Sequence, residues 1–187
     1  MFRKIFATLL LTAIIFFAQT VSAAHITYQV SVKDYGWMQP VGDGQVAGTV
    51  GENRRMEAIV IDFDGIEYNA HLKDIGWQGW RYSGQVAGTI GESRRMEAIR
   101  IRLSGRYADK YDVVYRAHIK DYGWLDWVSN GEVAGTTGEG LHMEAIQIRI
   151  VRKGEYYGDD YDRYDRDRYN RDRYGRYGRY DDDDYGW

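Results

Sequence analysis

Three stretches of the chain alternate apolar and polar residues with a period of two. In the first, Tyr28, Val30 and Val32 share one face, and Gln29, Ser31 and Lys33 share the other. In the second, Tyr68, Ala70 and Leu72 oppose Asn69, His71 and Lys73; in the third, Tyr115, Ala117 and Ile119 oppose Arg116, His118 and Lys120. One apolar face per stretch predicts a half-buried antiparallel strand. Each stretch runs into an Asp-Tyr-Gly-Trp or Asp-Ile-Gly-Trp string, whose glycine marks a turn or bulge. A second alternating run follows in each case. Its columns are Glu57, Ile59, Ile61 and Phe63; Glu97, Ile99, Ile101 and Leu103; and Glu144, Ile146, Ile148 and Ile150. These β-branched columns suit a pleated surface and are expected to face the core, each buried isoleucine stabilising the fold by ~1.5–3 kcal/mol. The opposite face starts with Met and Ala and turns mostly polar, with Arg100 and Arg102 in one copy and Gln147 and Arg149 in another.

The two runs are joined by a Gly-rich middle. Gly44, Gly48 and Gly51 recur as Gly84, Gly88 and Gly91, and again as Gly131, Gly135 and Gly138. Fixed glycines predict positive φ or close approach of another backbone, with short strands between them. The chain therefore writes one segment three times, and a repeated unit shares one core or one stack. The first two copies are offset by 40 residues and the last two by 47. The extra segment, Arg106 to Asp112, is expected to be a polar loop outside the core. The expectation is an all-β fold: a single domain of three repeats with pseudo-threefold symmetry. A β-prism is favoured, one sheet per repeat with the isoleucine columns meeting on the axis; a β-trefoil is the alternative. Independent units are not expected, since ~40 residues without disulfides rarely fold alone.

Composition divides the 187 residues further. Residues 1–23 read as a signal peptide: Arg3 and Lys4, an apolar run from Phe6 to Phe17 broken by Thr8 and Thr12, then Val21-Ser22-Ala23 before a cleavage site at Ala24. Residues 24–154 hold the repeats, at about 26–63, 66–103 and 113–150. Residues 155–187 hold nine of the 17 tyrosines and no aliphatic side chain, so nothing there offsets the cost of ordering the backbone, and a disordered tail is expected. Of the formal charge of −3, residues 1–23 contribute +2 and residues 155–187 contribute −4, leaving the repeat region near −1. A nearly neutral domain has no electrostatic footprint for nucleic acid. The chain has no cysteine, so packing alone stabilises it.

The residues point to binding rather than catalysis. There is no cysteine nucleophile, no Gly-x-Ser-x-Gly elbow and no His-Glu-x-x-His string. The Gly-Thr-x-Gly segments lack the lysine and following helix of a phosphate loop, and Asp181 to Asp184 lack the spacing of a calcium loop. His71 and His118 lie on the polar parity, where the first copy has Ser31, so no metal site and no cofactor are expected. Trp37, Trp77 and Trp124 are expected to be structural and to fill the core. Trp80 and Trp127, three residues later, are the ligand-binding candidates, suited to stack on a sugar ring or anchor a protein. Asp34, Asp74 and Asp121 stand beside them, placed either to accept sugar hydroxyl hydrogens or to cap the turn. Glu57, Glu97 and Glu144 fall on the inward parity and are expected to be structural carboxylates satisfied by turn N–H groups.

Together, Gly-Trp, Gly-x-x-Ala-Gly-Thr-x-Gly and Met-Glu-Ala-Ile at constant spacing resemble the clostridial hydrophobic-W (ChW) repeat. Copy one departs by carrying Pro40 where the others have Trp80 and Trp127, and copy three has Leu141-His142 in place of Arg-Arg. The resemblance implies an exported bacterial protein whose repeats form surface modules for carbohydrate or protein partners, and it brings no catalytic residues to transfer. The functional expectation is a non-enzymatic, multivalent binding module, secreted or in the cell envelope, that recognises a cell-wall or extracellular glycan or a surface protein. It binds no nucleic acid, and the mature chain has no membrane span. The alternative is a structural, adhesive envelope protein acting through its Tyr-rich tail.

Overall fold

The computed structural model describes residues 25–153. The expected signal peptide and tail lie outside them. Copy one forms β1 (Thr27–Val32), β2 (Gly36–Trp37), β3 (Val41–Gly42), β4 (Ala47–Gly48) and β5 (Met56–Asp62). Copy two forms β6 (Ile66–Leu72), β7 (Gly76–Trp77), β8 (Arg81–Tyr82), β9 (Ala87–Gly88) and β10 (Met96–Leu103). After a one-turn helix α1 (Gly105–Ala108), copy three forms β11 (Tyr111–Ile119), β12 (Gly123–Trp124), β13 (Val128–Ser129), β14 (Ala134–Gly135) and β15 (Met143–Arg152).

Each copy builds one antiparallel sheet on its two long strands: β1 with β5, β6 with β10, and β11 with β15. The sheets pool their inner faces into one core. Ile59, Ile61 and Phe63 meet Ile99, Ile101 and Leu103 and then Ile146, Ile148 and Ile150, with Val30, Ala70 and Ala117 from the first strands. Six of these isoleucines are fully shielded from solvent. The sheets stand as three separate antiparallel units around this interior and do not close a barrel. This is the three-repeat all-β architecture expected from the alternation, in its prism form.

The short strands weld the sheets together. Copy two lends β9 to the first sheet, pairing Ala58 with Gly88; copy three lends β14 to the second, pairing Ala98 with Gly135. Copy one lends β4 to the third, pairing Ala145 with Gly48, and so closes the circuit. Gly48, Gly88 and Gly135 have φ of 112°, 112° and 116°. A Cβ on Gly48 would collide with the Glu144 carbonyl oxygen and come within 2.7 Å of Ala145 Cα. Glycine is required there for close approach and for a backbone region that side chains disfavour.

A buried tyrosine reinforces each weld. The hydroxyl of Tyr28 accepts the Ile148 N–H (3.1 Å) and donates to the Gln45 carbonyl. Tyr68 does the same between Ile61 and Gln85, and Tyr115 between Ile101 and Glu132. Burial pushes the Tyr28 and Tyr115 hydroxyls up to about 12 and raises that of Tyr68.

Two local expectations are corrected. The segment Arg106 to Asp112 is not a loop clear of the core: Tyr107, Ala108 and Tyr111 pack against it, with the Tyr107 ring edge-on to Phe63 at 5.1 Å. Asp112 is itself buried and accepts a hydrogen bond from Asn130 Nδ2 at 2.8 Å. The glutamates do not continue the inward columns. Val32 pairs with Met56 and Ser31 with Ala58, so Glu57 is the extra residue of a β-bulge, as are Glu97 and Glu144. The bulge turns Met56, Met96 and Met143 into the core and leaves the glutamates to other partners.

Candidate functional site

Among the described residues no tryptophan belongs to the core. The strand register explains why. Trp37 pairs with Ser31, Trp77 with His71 and Trp124 with His118, so each tryptophan stands on the outward face with the polar parity of the long strand. Trp37 is exposed, and the others are half-buried. The interior volume expected for tryptophan is occupied by Tyr28, Tyr68 and Tyr115.

On the second and third sheets the tryptophans interleave with arginines. Arg100 lies over Trp77 at 4.4 Å and Arg102 over Trp80 at 3.9 Å. Arg116 lies between Trp124 (4.9 Å) and Trp127 (4.8 Å), and Arg149 covers Trp127 at 4.6 Å. His71 and His118 meet Trp77 and Trp124 edge-on at 5.2 and 5.3 Å. Cation–π contacts of this kind contribute ~0.5–2 kcal/mol each, according to desolvation. Copy one carries Val60 and Asp62 at the arginine positions of copy two and Pro40 in place of the second tryptophan, so the interleaving stops there. The sequence candidate Trp80 thus carries one guanidinium over its indole, and Trp127 carries two.

An open cleft lies next to this layer on copy three. It measures about 500 Å³ and is lined by Tyr122, Trp124, Leu125, Asp126, Val128, Val133, Ala134, Gly135, Thr136 and Glu139. Its lining combines the Trp124 and Tyr122 rings with the carboxylates of Asp126 and Glu139. Two of the lining residues are bonded to each other: Tyr122 donates to Glu139 Oε2 at 3.3 Å. Copy one repeats that bond between Tyr35 and Glu52 at 3.1 Å. In copy two, Gln78 spans the corresponding gap: its Oε1 accepts the Gly88 N–H at 2.7 Å and its Nε2 donates to the Gly88 carbonyl at 3.3 Å. Leu125 at that position in copy three cannot make this bridge. Trp124, read from the sequence as a core residue, is therefore a cleft residue.

The other sequence candidates separate by role. Asp34, Asp74 and Asp121 occupy left-handed turn positions with φ of 69°, 66° and 67°, which aspartate tolerates better than most residues. Asp34 pairs with Arg54 at 2.8 Å, and Asp74 lies 3.9 Å from both Lys73 and Arg94. None of the three lines the cleft, although Asp121 directly precedes Tyr122. The buried glutamates sit at one end of the molecule. Arg55 Nη2 is 2.8 Å from Glu57, Arg95 Nη2 is 2.8 Å from Glu97, and His71 Nδ1 is 3.2 Å from Glu97. Glu144 faces His118 at 3.1 Å and His142 at 3.8 Å, and accepts the Gly51 N–H of copy one at 3.3 Å. Burial holds the His142 imidazole below its ordinary pKa; Glu144 opposes this, while Lys120, Arg55 and Arg95 add to it. Among the described residues no helix is long and apolar enough to cross a membrane.

Three intertwined copies, each with an outward Gly-Trp strand and a lent Ala-Gly strand, define a repeat module. The family model for clostridial hydrophobic W (ChW) matches residues 32–65, 71–105 and 118–152, and the chain belongs to that family. The matched spans begin at the end of each first long strand, so the structural repeat is longer at its start than the family pattern. The curated proteins and the solved structures offer no match.

Proposed function

We propose that the protein is an exported, non-enzymatic binding module that recognises glycan, outside the cell or at its surface, through the cleft beside Trp124. The observation that carries this reading is the composition of that cleft. The Trp124 and Tyr122 rings supply an aromatic wall for the apolar face of a sugar, and Asp126 and Glu139 supply carboxylate oxygens for its hydroxyls. A few polar groups on a largely apolar wall are what a small, oriented ligand requires. The Tyr35–Glu52 pair of copy one offers a second, related site, which would make binding multivalent.

The test compares the full chain with variants on a glycan array and in a pull-down on isolated cell wall. Trp124→Ala and Glu139→Gln are expected to reduce binding at least ~10-fold, since an aromatic anchor contributes about 1.4 kcal/mol or more. Trp80→Ala combined with Trp127→Ala is expected to leave binding nearly intact. If removal of residues 155–187 abolishes binding while Trp124→Ala does not, the tail is the adhesive element and the cleft is not the site.

A further inference from the structure

At the end of the molecule that carries the glutamate bulges, the three copies enclose a basin of about 440 Å³. Its wall is made of equivalent positions from every copy. Lys33, Lys73 and Lys120 form one set, and Arg55, Arg95 and His142 form the next. Each lysine N–H bonds the carbonyl of the second set's residue in its own copy, at 3.0–3.1 Å, which fixes the two sets side by side. The copies also interlock here: a Cβ on Gly140 of copy three would lie 3.7 Å from Arg95 Nη2 of copy two.

Five side chains of fixed positive charge therefore converge on one concavity of a repeat region that is nearly neutral as a whole. The three glutamates that offset part of this charge are buried behind the wall. Arg55 and Arg95 each turn Nε and Nη2 towards their glutamate. Among the described residues, Lys33 and Lys120 have no ion pair, and Lys73 has only the long contact to Asp74. Burial is the main cause that lowers the His142 pKa, and Lys120, Arg55 and Arg95 each add to it, as cations gathered around one point do.

We propose that this basin binds a compact polyanion carrying several clustered oxyanion groups of the phosphate class, held by Lys33, Lys73 and Lys120 and by the outer edges of Arg55 and Arg95. Three ammonium groups related by pseudo-threefold symmetry favour a ligand with more than one charged group over a single carboxylate. The wall of a concavity also concentrates their field more than a convex surface would. The site does not depend on the cleft beside Trp124, and the two readings stand or fall separately.

The test is calorimetric titration of the full chain with inorganic tripolyphosphate, as a free ligand, and with long-chain polyphosphate, as the same groups on a polymer. Binding of either is expected, weakening as salt rises. The combined variant Lys33→Gln, Lys73→Gln, Lys120→Gln is expected to lose at least ~10-fold in affinity, and the corresponding lysine-to-arginine variant to retain it. Lys110→Gln, outside the basin, is expected to bind like the unmodified chain. Failure of both probes to bind the unmodified chain, or undiminished binding by the glutamine variant with an unchanged thermal melt, would overturn the proposal.

Discussion

Replacing Tyr115 with Phe removes one oxygen from the middle of the molecule and leaves the ring in place. That oxygen sits in a fully buried side chain, accepts the Ile101 N–H at 3.0 Å and donates to the Glu132 carbonyl. The N–H belongs to the second sheet and the tyrosine to the third, so the change cuts a bond between sheets. A buried donor left without a partner costs about 1–3 kcal/mol, and the lost donation about 1 kcal/mol more. The expected loss is ~2–4 kcal/mol, or ~8–16 °C in Tm for a domain of this size. Guanidinium unfolding followed by tryptophan fluorescence reads it. Tyr122→Phe is the comparison, because its exposed hydroxyl meets, among the described residues, only Glu139, at 3.3 Å, and the change is expected to cost under ~0.5 kcal/mol. The same logic sets the alkaline limit of stability. A tyrosine whose folded pKa is raised binds its proton more tightly when folded, so its contribution is complete below pH ~10 and is lost as pH climbs towards 12. Two pH units amount to roughly 3 kcal/mol for each of Tyr28 and Tyr115. A cost below ~0.5 kcal/mol for Tyr115→Phe, or an alkaline slope unchanged by it, would refute the idea that these hydroxyls join the sheets.

Two further outcomes follow from the seams. Gly48→Ala is expected to cost ~3 kcal/mol or more, because its Cβ meets fixed backbone at a φ of 112°, whereas Gly51→Ala meets nothing within 4 Å and should cost only ~1–2 kcal/mol; thermal melts of the two variants decide this, and equal losses would sink it. His142, whose folded pKa is lowered, contributes stability that is complete above pH ~6.5 and falls as the solution is acidified towards the folded value. Faced by Glu144, Lys120, Arg55 and Arg95, it should impose a slope of up to ~1.4 kcal/mol per pH unit between pH 7.5 and 5 that is absent from the stability curve of His142→Gln; equal slopes in the two proteins would sink it.

The long strands and the shared core were legible because alternation over six to ten residues is a strong signal, and Ile59, Ile61 and their counterparts left no other way to be buried. The fixed glycines gave the close approaches, but not their partners. A two-residue strand such as Ala87–Gly88 has no period to read, so its loan to a neighbouring sheet was invisible. The outward placement of Trp37, Trp77 and Trp124 was in principle readable. A tight turn pairs each with Ser31, His71 or His118, all on the polar parity, but residue size argued for the interior and obscured that cue. The glutamates misled for the opposite reason: parity was followed through a bulge that only the pairing register reveals. Trp124 entered the candidate site through the cleft, which the lent strand β14 also lines with Ala134 and Gly135, residues far from Trp124's own strand pairing with β11.

The exchange of Ala-Gly strands gives every copy one plug and one socket. Copy one's plug fits copy three, and with that the arithmetic closes: nothing is left over at three. A chain with two copies would keep a bare plug and an empty socket, and could satisfy them only by joining end to end with others of its kind. Length in this lineage is therefore expected to grow by whole trios, because a single added unit would have to break a finished circle to enter it.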